Sequence, residues 1–317
     1  MALEGDQLRA KRQRLSRHVS VMQWRAARLD PTLRGLLWSA AAGITFVLLN
    51  TVMRRLTLDL HPFQTQFLRY LLGLVVMLPF IARAGIASYR PHHLGGQFLR
   101  GGVHSIGLAL WFAAIPHITI ADTTAIGFTA PIFIMLGAVW AFGEKMRWER
   151  WLAALIGLAG VLIVVAPKLA GTGGIYTLVM LASSPVFAAS FLLTKGLTRY
   201  DRATVIVVWQ SIAVSIFSLP LAWTVWQAPS AGQWLNFVLC GILGSLGHYC
   251  LTRSFAVADI SATQSVKFLD LVWATLMGWL VFADQPSRST LIGGLVICAS
   301  TLWIARRETR GPAVRVG

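Results

Sequence analysis

Residues 203–225 read ATVIVVWQSIAVSIFSLPLAWTV, a run from Ala203 to Val225 without a charged side chain. As a helix, such a run rises about 1.5 Å per residue and reaches across a hydrocarbon layer about 30 Å thick. A helix apolar on every side belongs either in the core of a large protein or in a membrane. The rest of the chain decides between the two.

Comparable runs occupy residues 33–53, 62–82, 97–115, 120–142, 149–167, 174–194, 234–252, 260–282 and 288–305. Only short charged clusters separate them. Lipid offers no hydrogen bonds to an open backbone, so such runs must be helices or a closed barrel. Barrel strands alternate over about ten residues, and these runs are longer and do not alternate. The sequence therefore predicts an all-α membrane protein of ten transmembrane helices.

Composition agrees. Of 317 residues, 56% are hydrophobic and 13% charged, and the mean hydropathy is +0.65. Soluble domains carry about 25% charged residues. The net charge of +16 does not point to nucleic acid, because the basic residues flank apolar spans instead of lining one face of a soluble fold. Cys240, Cys250 and Cys298 fall in or at the ends of apolar runs and read as small core residues, not a disulfide framework. Residues 1–30 lack the apolar stretch of a signal peptide and read as a basic tail at the cytoplasmic leaflet.

With the N-terminus in the cytoplasm, 22 of the 28 Lys and Arg fall on the cytoplasmic side and four on the other. The remaining two, Arg69 and Lys267, lie inside spans. The predicted arrangement is a multi-pass protein of the inner (plasma) membrane with both termini cytoplasmic.

A shift of 140 residues brings the chain onto itself. Gly101, Ser105 and Gly107 fall on Gly241, Ser245 and Gly247; Ile120 and Phe128 fall on Ile260 and Phe268; Gly143-Glu144 falls on Ala283-Asp284. Arg69 comes close to Gln210. One constant offset over several helix pairs signals an internal repeat. Five spans per half is an odd number, so the second half enters the membrane from the opposite side. Two inverted five-helix repeats are the sequence form of an alternating-access transporter. The predicted organisation is a basic cytoplasmic tail (1–31), a first repeat (32–168), a second repeat (172–307) and a cytoplasmic C-terminal tail (308–317).

The order of short motifs also carries a resemblance. Ala114-Ile115-Pro116-His117-Ile118, Ala121-Asp122-Thr123-Thr124-Ala125, Pro131-Ile132-Phe133, Gly143-Glu144-Lys145 and Gly157-Leu158-Ala159-Gly160-Val161 resemble the EamA type of the drug/metabolite transporter superfamily. Weaker copies stand at Phe255-Ala256, Ile260-Ser261-Ala262 and Ala283-Asp284, and Arg69 matches a common family position. The resemblance implies secondary transport without ATP hydrolysis through a cavity lined by both halves. Subgroups of this style carry amino acids, riboflavin, S-adenosylmethionine or metal-chelating opines. The second half departs from the pattern in span 9: Leu271 stands where Pro131 has its counterpart, with Lys267 and Asp270 nearby.

Charges inside a span cost roughly 2.5–3.5 kcal/mol each on insertion scales, so they should face protein or water and serve function. Lys267 and Asp270 lie three apart on one face, with Gln264 a turn earlier. They read as a site for a carboxylate, an ammonium or a proton; the alternative is a self-neutralising pair that only packs the bundle. Arg69 reads as a substrate contact or an interhelical bridge. His248, with Ser245 and Thr252, gives span 8 a polar face, and His104 with Trp111 gives one to span 3. A neutral histidine there would couple protons or simply bond the helix backbone. Trp111 and Trp209 lie deep enough to stack on a heterocycle or to pack helices. Pro131 beside Gly127 reads as a hinge or cavity-shaping element.

The expected function is secondary transport of a small polar or zwitterionic metabolite, amino-acid-like or heterocyclic. A carrier of the riboflavin or S-adenosylmethionine type is the alternative. A membrane enzyme using Lys267 and Asp270 is a remote one, since no metal-ligand spacing, nucleotide loop or nucleophile elbow is present. No cofactor and no metal are expected. The partners are a small-molecule substrate and the lipid bilayer.

Overall fold

The computed structural model describes residues 29–114, 129–144, 147–165, 174–267, 269–282 and 288–310. Among these the regular structure is helical. The helices are α1 (Pro31–Leu56), α2 (Pro62–Ala84), α3 (Leu94–Ala114), α4 (Ala130–Phe142), α5 (Trp148–Val165) and α6 (Gly174–Leu197). They continue with α7 (Ala203–Trp223), α8 (Ala231–Val257), α9 (Ile260–Lys267), α10 (Leu269–Phe282) and α11 (Arg288–Arg310). A 3-10 turn, Ile86–Tyr89, follows α2.

Local sequence sets several boundaries. Asp30 accepts from the backbone N–H of Thr32 at 2.8 Å and Pro31 opens α1, where a missing N–H costs no helical hydrogen bond. Pro62 opens α2 in the same way. Ser230 and Gln233 form a reciprocal capping box at the start of α8. Gly143 stops α4 in the left-handed conformation, at φ 63°, which glycine adopts without strain.

The distribution of polarity is inverted relative to a protein in water. Leu37, Ile44 and Leu48 of α1, Leu78 and Phe80 of α2, and Leu235 and Leu246 of α8 are exposed. Arg69, Arg100, His104, Gln210 and His248 are buried. Continuous exposed apolar faces around a buried polar centre fit hydrocarbon as the surrounding solvent. Five helical stretches, Pro31–Leu56, Pro62–Ala84, Leu178–Leu197, Ala203–Trp223 and Ala231–Val257, are long and apolar enough to cross a membrane by length and composition. The chain is a multi-pass membrane protein.

The helix packing has a pattern. α1 lies against α8, and α3 lies against α6; α2 packs on α7 and α8, and α7 packs on α2 and α3; α5 pairs with α11. Exchanging each helix of the first half for its counterpart in the second maps these contacts onto each other. Two close backbone approaches obey the same exchange. A Cβ on Gly101 would collide with Ala213, and one on Gly241 would lie 2.7 Å from the backbone carbon of Leu72 and 2.8 Å from Gly73 N. Ala213 and Gly241 stand at the same 140-residue offset from Gly73 and Gly101. Only a residue without a side chain fits either position.

Candidate functional site

The polar centre is assembled from five helices. Spacing of four residues places Arg100 above His104 on one face of α3, and Ser190 above Thr194 on one face of α6. Between them stand Arg69 and Tyr70 of α2, Gln210 of α7 and His248 of α8, all buried.

The bonds link both halves of the chain. Tyr70 Oη lies 3.0 Å from His104 Nε2 and 3.2 Å from His248 Nε2. His104 Nδ1 lies 3.1 Å from Ser190 Oγ. Arg69 Nη2 lies 3.3 Å from His248 Nε2, and its guanidinium carbon sits 4.6 Å from the centre of the Tyr70 ring. Arg100 donates from Nε to Thr194 Oγ1 at 2.5 Å, from Nη1 to the Ile206 carbonyl at 3.1 Å and from Nη2 to Gln210 Oε1 at 2.6 Å. Phe46 of α1 and Phe187 of α6 close on the histidines edge to face, at 5.0 and 5.4 Å between ring centres.

Proton bookkeeping follows from the donor inventory. An arginine nitrogen is only a donor. His248 Nε2 must therefore accept from Arg69, so its ring hydrogen is assigned to Nδ1. The neighbouring hydrogens are assigned away from that nitrogen: the Tyr70 hydroxyl to His104 Nε2 and His104 Nδ1–H to Ser190 Oγ, which leaves the His248 lone pair to Arg69. A chain of this kind binds hydrogen-bonding ligands and passes protons.

The charge balance is unusual. Arg69 and Arg100 are 9% and 2% exposed. Among the described residues no carboxylate forms an ion pair with either of them. Arg100 is satisfied by three neutral oxygens. Arg69 has one weak partner, and its Nε is buried with no hydrogen-bond acceptor among the described residues.

Lys267 and Asp270 form a second pair, 3.7 Å apart. The Lys267 ammonium lies 5.3 Å from the centre of the Phe46 ring, which also meets His248 edge to face. Asp270 packs so closely on Gly43 of α1 that a Cβ there would overlap its Oδ1. The pair thus borders the same aromatic wall as the histidines.

The other expected site residues are dispersed. Gln264 is buried, but its amide donates to the Ile260 carbonyl of its own first turn and to Thr263 Oγ1. Trp111 packs against Phe112 and the apolar cluster around Leu49 and Phe67. Trp209 donates to the Tyr89 carbonyl at 2.8 Å and meets Phe98, away from the central cluster. Pro131 is buried in the first turn of α4. Gly127 lies outside the described residues. On α8, Thr252 returns its hydroxyl to the His248 carbonyl and Ser245 to the Gly73 carbonyl, so His248 alone of that face reaches the centre.

Arg100 and Tyr70 are among the central residues that escape a reading of the sequence. Arg100 counts there as a loop cation, yet it is buried in α3. The signal for it is its place inside the apolar run 97–115, four residues before His104. Tyr70 has no signal beyond its position next to Arg69.

At the cytoplasm-assigned ends of the helices the groups are different. Glu144 reads from sequence as part of a surface network with Lys145, Arg147 and Arg150. It instead accepts the N–H of Ile260 at 3.0 Å and of Ser261 at 3.2 Å, capping α9. Arg150 meets Asp259 at 3.3 Å. Lys195 donates to the carbonyls of Phe255 and Ala258 at the end of α8. Asp201 accepts from the His92 N–H at 2.9 Å, the His92 ring at 2.7 Å and the Gln97 amide at 2.9 Å. Burial alone would raise the Asp201 carboxyl, but these donors together hold it below the ordinary carboxylate value.

A helical bundle turned inside out, with a shared polar centre, is the build of a membrane transport protein. The chain belongs to the EamA-like transporter family, whose model matches it twice, over residues 33–166 and 174–306. It is 33% identical over 279 residues to a riboflavin transporter of Rhizobium johnstonii, covering 87% of this chain and 92% of that protein. It is 30% identical to a riboflavin transporter of Vibrio cholerae, over 88% of this chain and 95% of that one. With an S-adenosylmethionine uptake transporter of Rickettsia prowazekii it shares 24% identity over 89% and 96% of the two chains. A solved crystal structure superimposes with a TM-score of 0.72 at 19% identity, over 88% of this chain and 98% of that one, which supports the fold. The chain is thus a member of a transporter family.

Proposed function

We propose that the protein is a secondary transporter that moves a small polar metabolite, with a riboflavin-type heterocycle as first candidate, by alternating access. On this reading ten helices form two inverted five-helix repeats in the inner membrane, with both termini cytoplasmic. The exchange symmetry of the helix contacts and the double family match support the repeats. Two related bundles of opposite orientation tilt inward or outward at similar energy, as alternating access requires.

One observation carries the site. The polar centre joins α2 and α3 of the first half to α6, α7 and α8 of the second through Arg69, Tyr70, Arg100, His104, Gln210 and His248. A substrate held there touches both moving parts. Phe46, Tyr70 and Phe187 offer ring faces and edges, and Arg69 offers donors for carbonyl and ring-nitrogen acceptors. Lys267 and Asp270 border this site.

Two buried arginines with no paired acid among the described residues favour an electron-rich heterocycle over a cationic sulfonium substrate. At an effective dielectric constant near 20, one unit charge 4 Å from another is worth about 4 kcal/mol. Counterflow of labelled riboflavin in proteoliposomes tests the proposal directly. Exchange stimulated by internal riboflavin, and absent with S-adenosylmethionine, is the expected result. Exchange with S-adenosylmethionine alone would reverse the substrate assignment, and no exchange with either would remove both.

A further inference from the structure

Arg69 is a buried donor short of acceptors. Its fork presents five hydrogens, yet among the described residues it has one hydrogen bond, of 3.3 Å to His248 Nε2, and the face of the Tyr70 ring. Its Nε is buried without an acceptor among the described residues. The nitrogen it occupies is the one lone pair that His248 has for binding a proton. Tyr70 Oη stands 3.2 Å from the same nitrogen and connects it to His104.

We propose that Arg69 and a proton compete for His248 Nε2, so that a substrate oxygen drawing Arg69 away admits one proton and the carrier moves substrate and proton together. This rests on the reading that the polar centre is the substrate site. A guanidinium hydrogen and a proton cannot share one lone pair. A carbonyl, imide or carboxylate oxygen is a better acceptor for Arg69 than an imidazole nitrogen held at 3.3 Å. Once Arg69 turns to that oxygen, a proton from water on the open side adds to Nε2, by itself or along the His104–Tyr70 chain. His248 then carries a hydrogen on both nitrogens, and no covalent bond to the substrate forms. When the substrate leaves on the other side, Arg69 returns to Nε2 and the proton departs.

The surroundings make the two events depend on each other. From α2, Arg69 and Tyr70 face His248; from α3, Arg100 and His104; from α9, Lys267, across the Phe46 ring of α1. Asp270 of α10 is paired to Lys267, and Cys240 lies two turns earlier on α8 itself. Ser190 and Thr194 of α6 and Gln210 of α7 do not titrate in the working range. A cationic His248 beside Arg69 and Arg100 would be a third positive charge in one buried cluster. It becomes tolerable when the substrate brings an oxygen of negative character and Arg69 engages it.

The experiment has two arms. In the first, riboflavin is added to purified protein in weakly buffered detergent solution. Quenching of riboflavin fluorescence reports binding, and a pH indicator reports protons taken up. The expected result is about one proton per bound riboflavin, lost in His248→Gln. Binding without proton uptake overturns the coupling and leaves the substrate assignment standing. The second arm needs no substrate. Histidine labelled with nitrogen-15 reports protonation of His248 Nε2 in the wild type and in Arg69→Gln, with Arg69→Met as a second neutral variant should the first misfold. Removing the competitor is expected to tighten proton binding at His248 about tenfold or more. Equal proton affinity in a folded variant overturns the proposal even when riboflavin does not bind.

Discussion

Gly241→Ala is a one-carbon change that should disable the polar centre from a distance. The added Cβ would lie 2.7 Å from the backbone carbon of Leu72, 2.8 Å from Gly73 N and 2.9 Å from the Leu72 carbonyl oxygen. These are backbone atoms of α2 and cannot rotate aside. Ordinary contact begins at 3.4 Å, so α8 must retreat from α2 by about 0.7 Å. Arg69 and His248 bridge the same two helices, and their 3.3 Å contact would open to about 4.0 Å, beyond hydrogen-bond range. Overpacking of this kind costs about 1–3 kcal/mol, and a rigid neighbour puts it in the upper half. Alanine recovers about 0.5–1 kcal/mol of helix propensity. The net loss of about 2 kcal/mol corresponds to a fall in unfolding temperature of roughly 4–8 °C. Thermal unfolding in detergent and proteoliposome counterflow measure the two effects. Gly101→Ala, whose Cβ meets Ala213 across α3 and α7, should behave alike. Gly102→Ala, whose nearest neighbour is a Phe217 ring carbon at 3.5 Å, should be neutral or slightly stabilising. A Gly241→Ala protein as stable and as active as the wild type would refute the packing argument.

Three further outcomes are expected. Lys267→Ala and Asp270→Asn should each abolish transport while the protein elutes as a folded monodisperse species; normal uptake kinetics in both would reduce the pair to packing. Glu144→Ala removes the acceptor for two backbone N–H groups and the Ser261 hydroxyl, and should destabilise the start of α9 by about 1–2 kcal/mol, read as faster proteolysis between α8 and α9. Asp201 has a carboxyl held below its unfolded value of about 3.9, so its contribution is fully present above that pH and is lost as pH falls through the lower, folded value. Asp201→Asn should therefore be less stable than the wild type at neutral pH and lose less stability as the pH falls below about 4. Parallel acid unfolding curves would contradict it.

Length and polarity are local properties, and the sequence reports them well. Apolar runs such as 203–225 announce helices in lipid, whatever their neighbours. The uneven placing of Lys and Arg predicts a topology, and the 140-residue offset points to two related halves before any helix is placed. Arg69, His104 and His248 stand out one by one, because each is costly in an apolar run.

Which of them meet is a different kind of fact. Tyr70 and His248 are 178 positions apart, and Arg100 and Gln210 are 110 apart. Their contact depends on which faces of α2, α3, α7 and α8 turn inward. That rotation is set by backbone approaches such as Gly241 on Leu72, not by any local pattern. The same packing turned Trp209 toward Tyr89 and folded Gln264 back on its own helix, although both looked as suitable as His248. Sequence alone determined that this chain lives in a membrane, pointed to two related halves and picked out a few charges costly inside an apolar run. Tertiary structure decided that Arg69 and Tyr70 both reach one nitrogen of His248, because a hydrogen bond is set by tenths of an ångström that only the docking of whole helices defines.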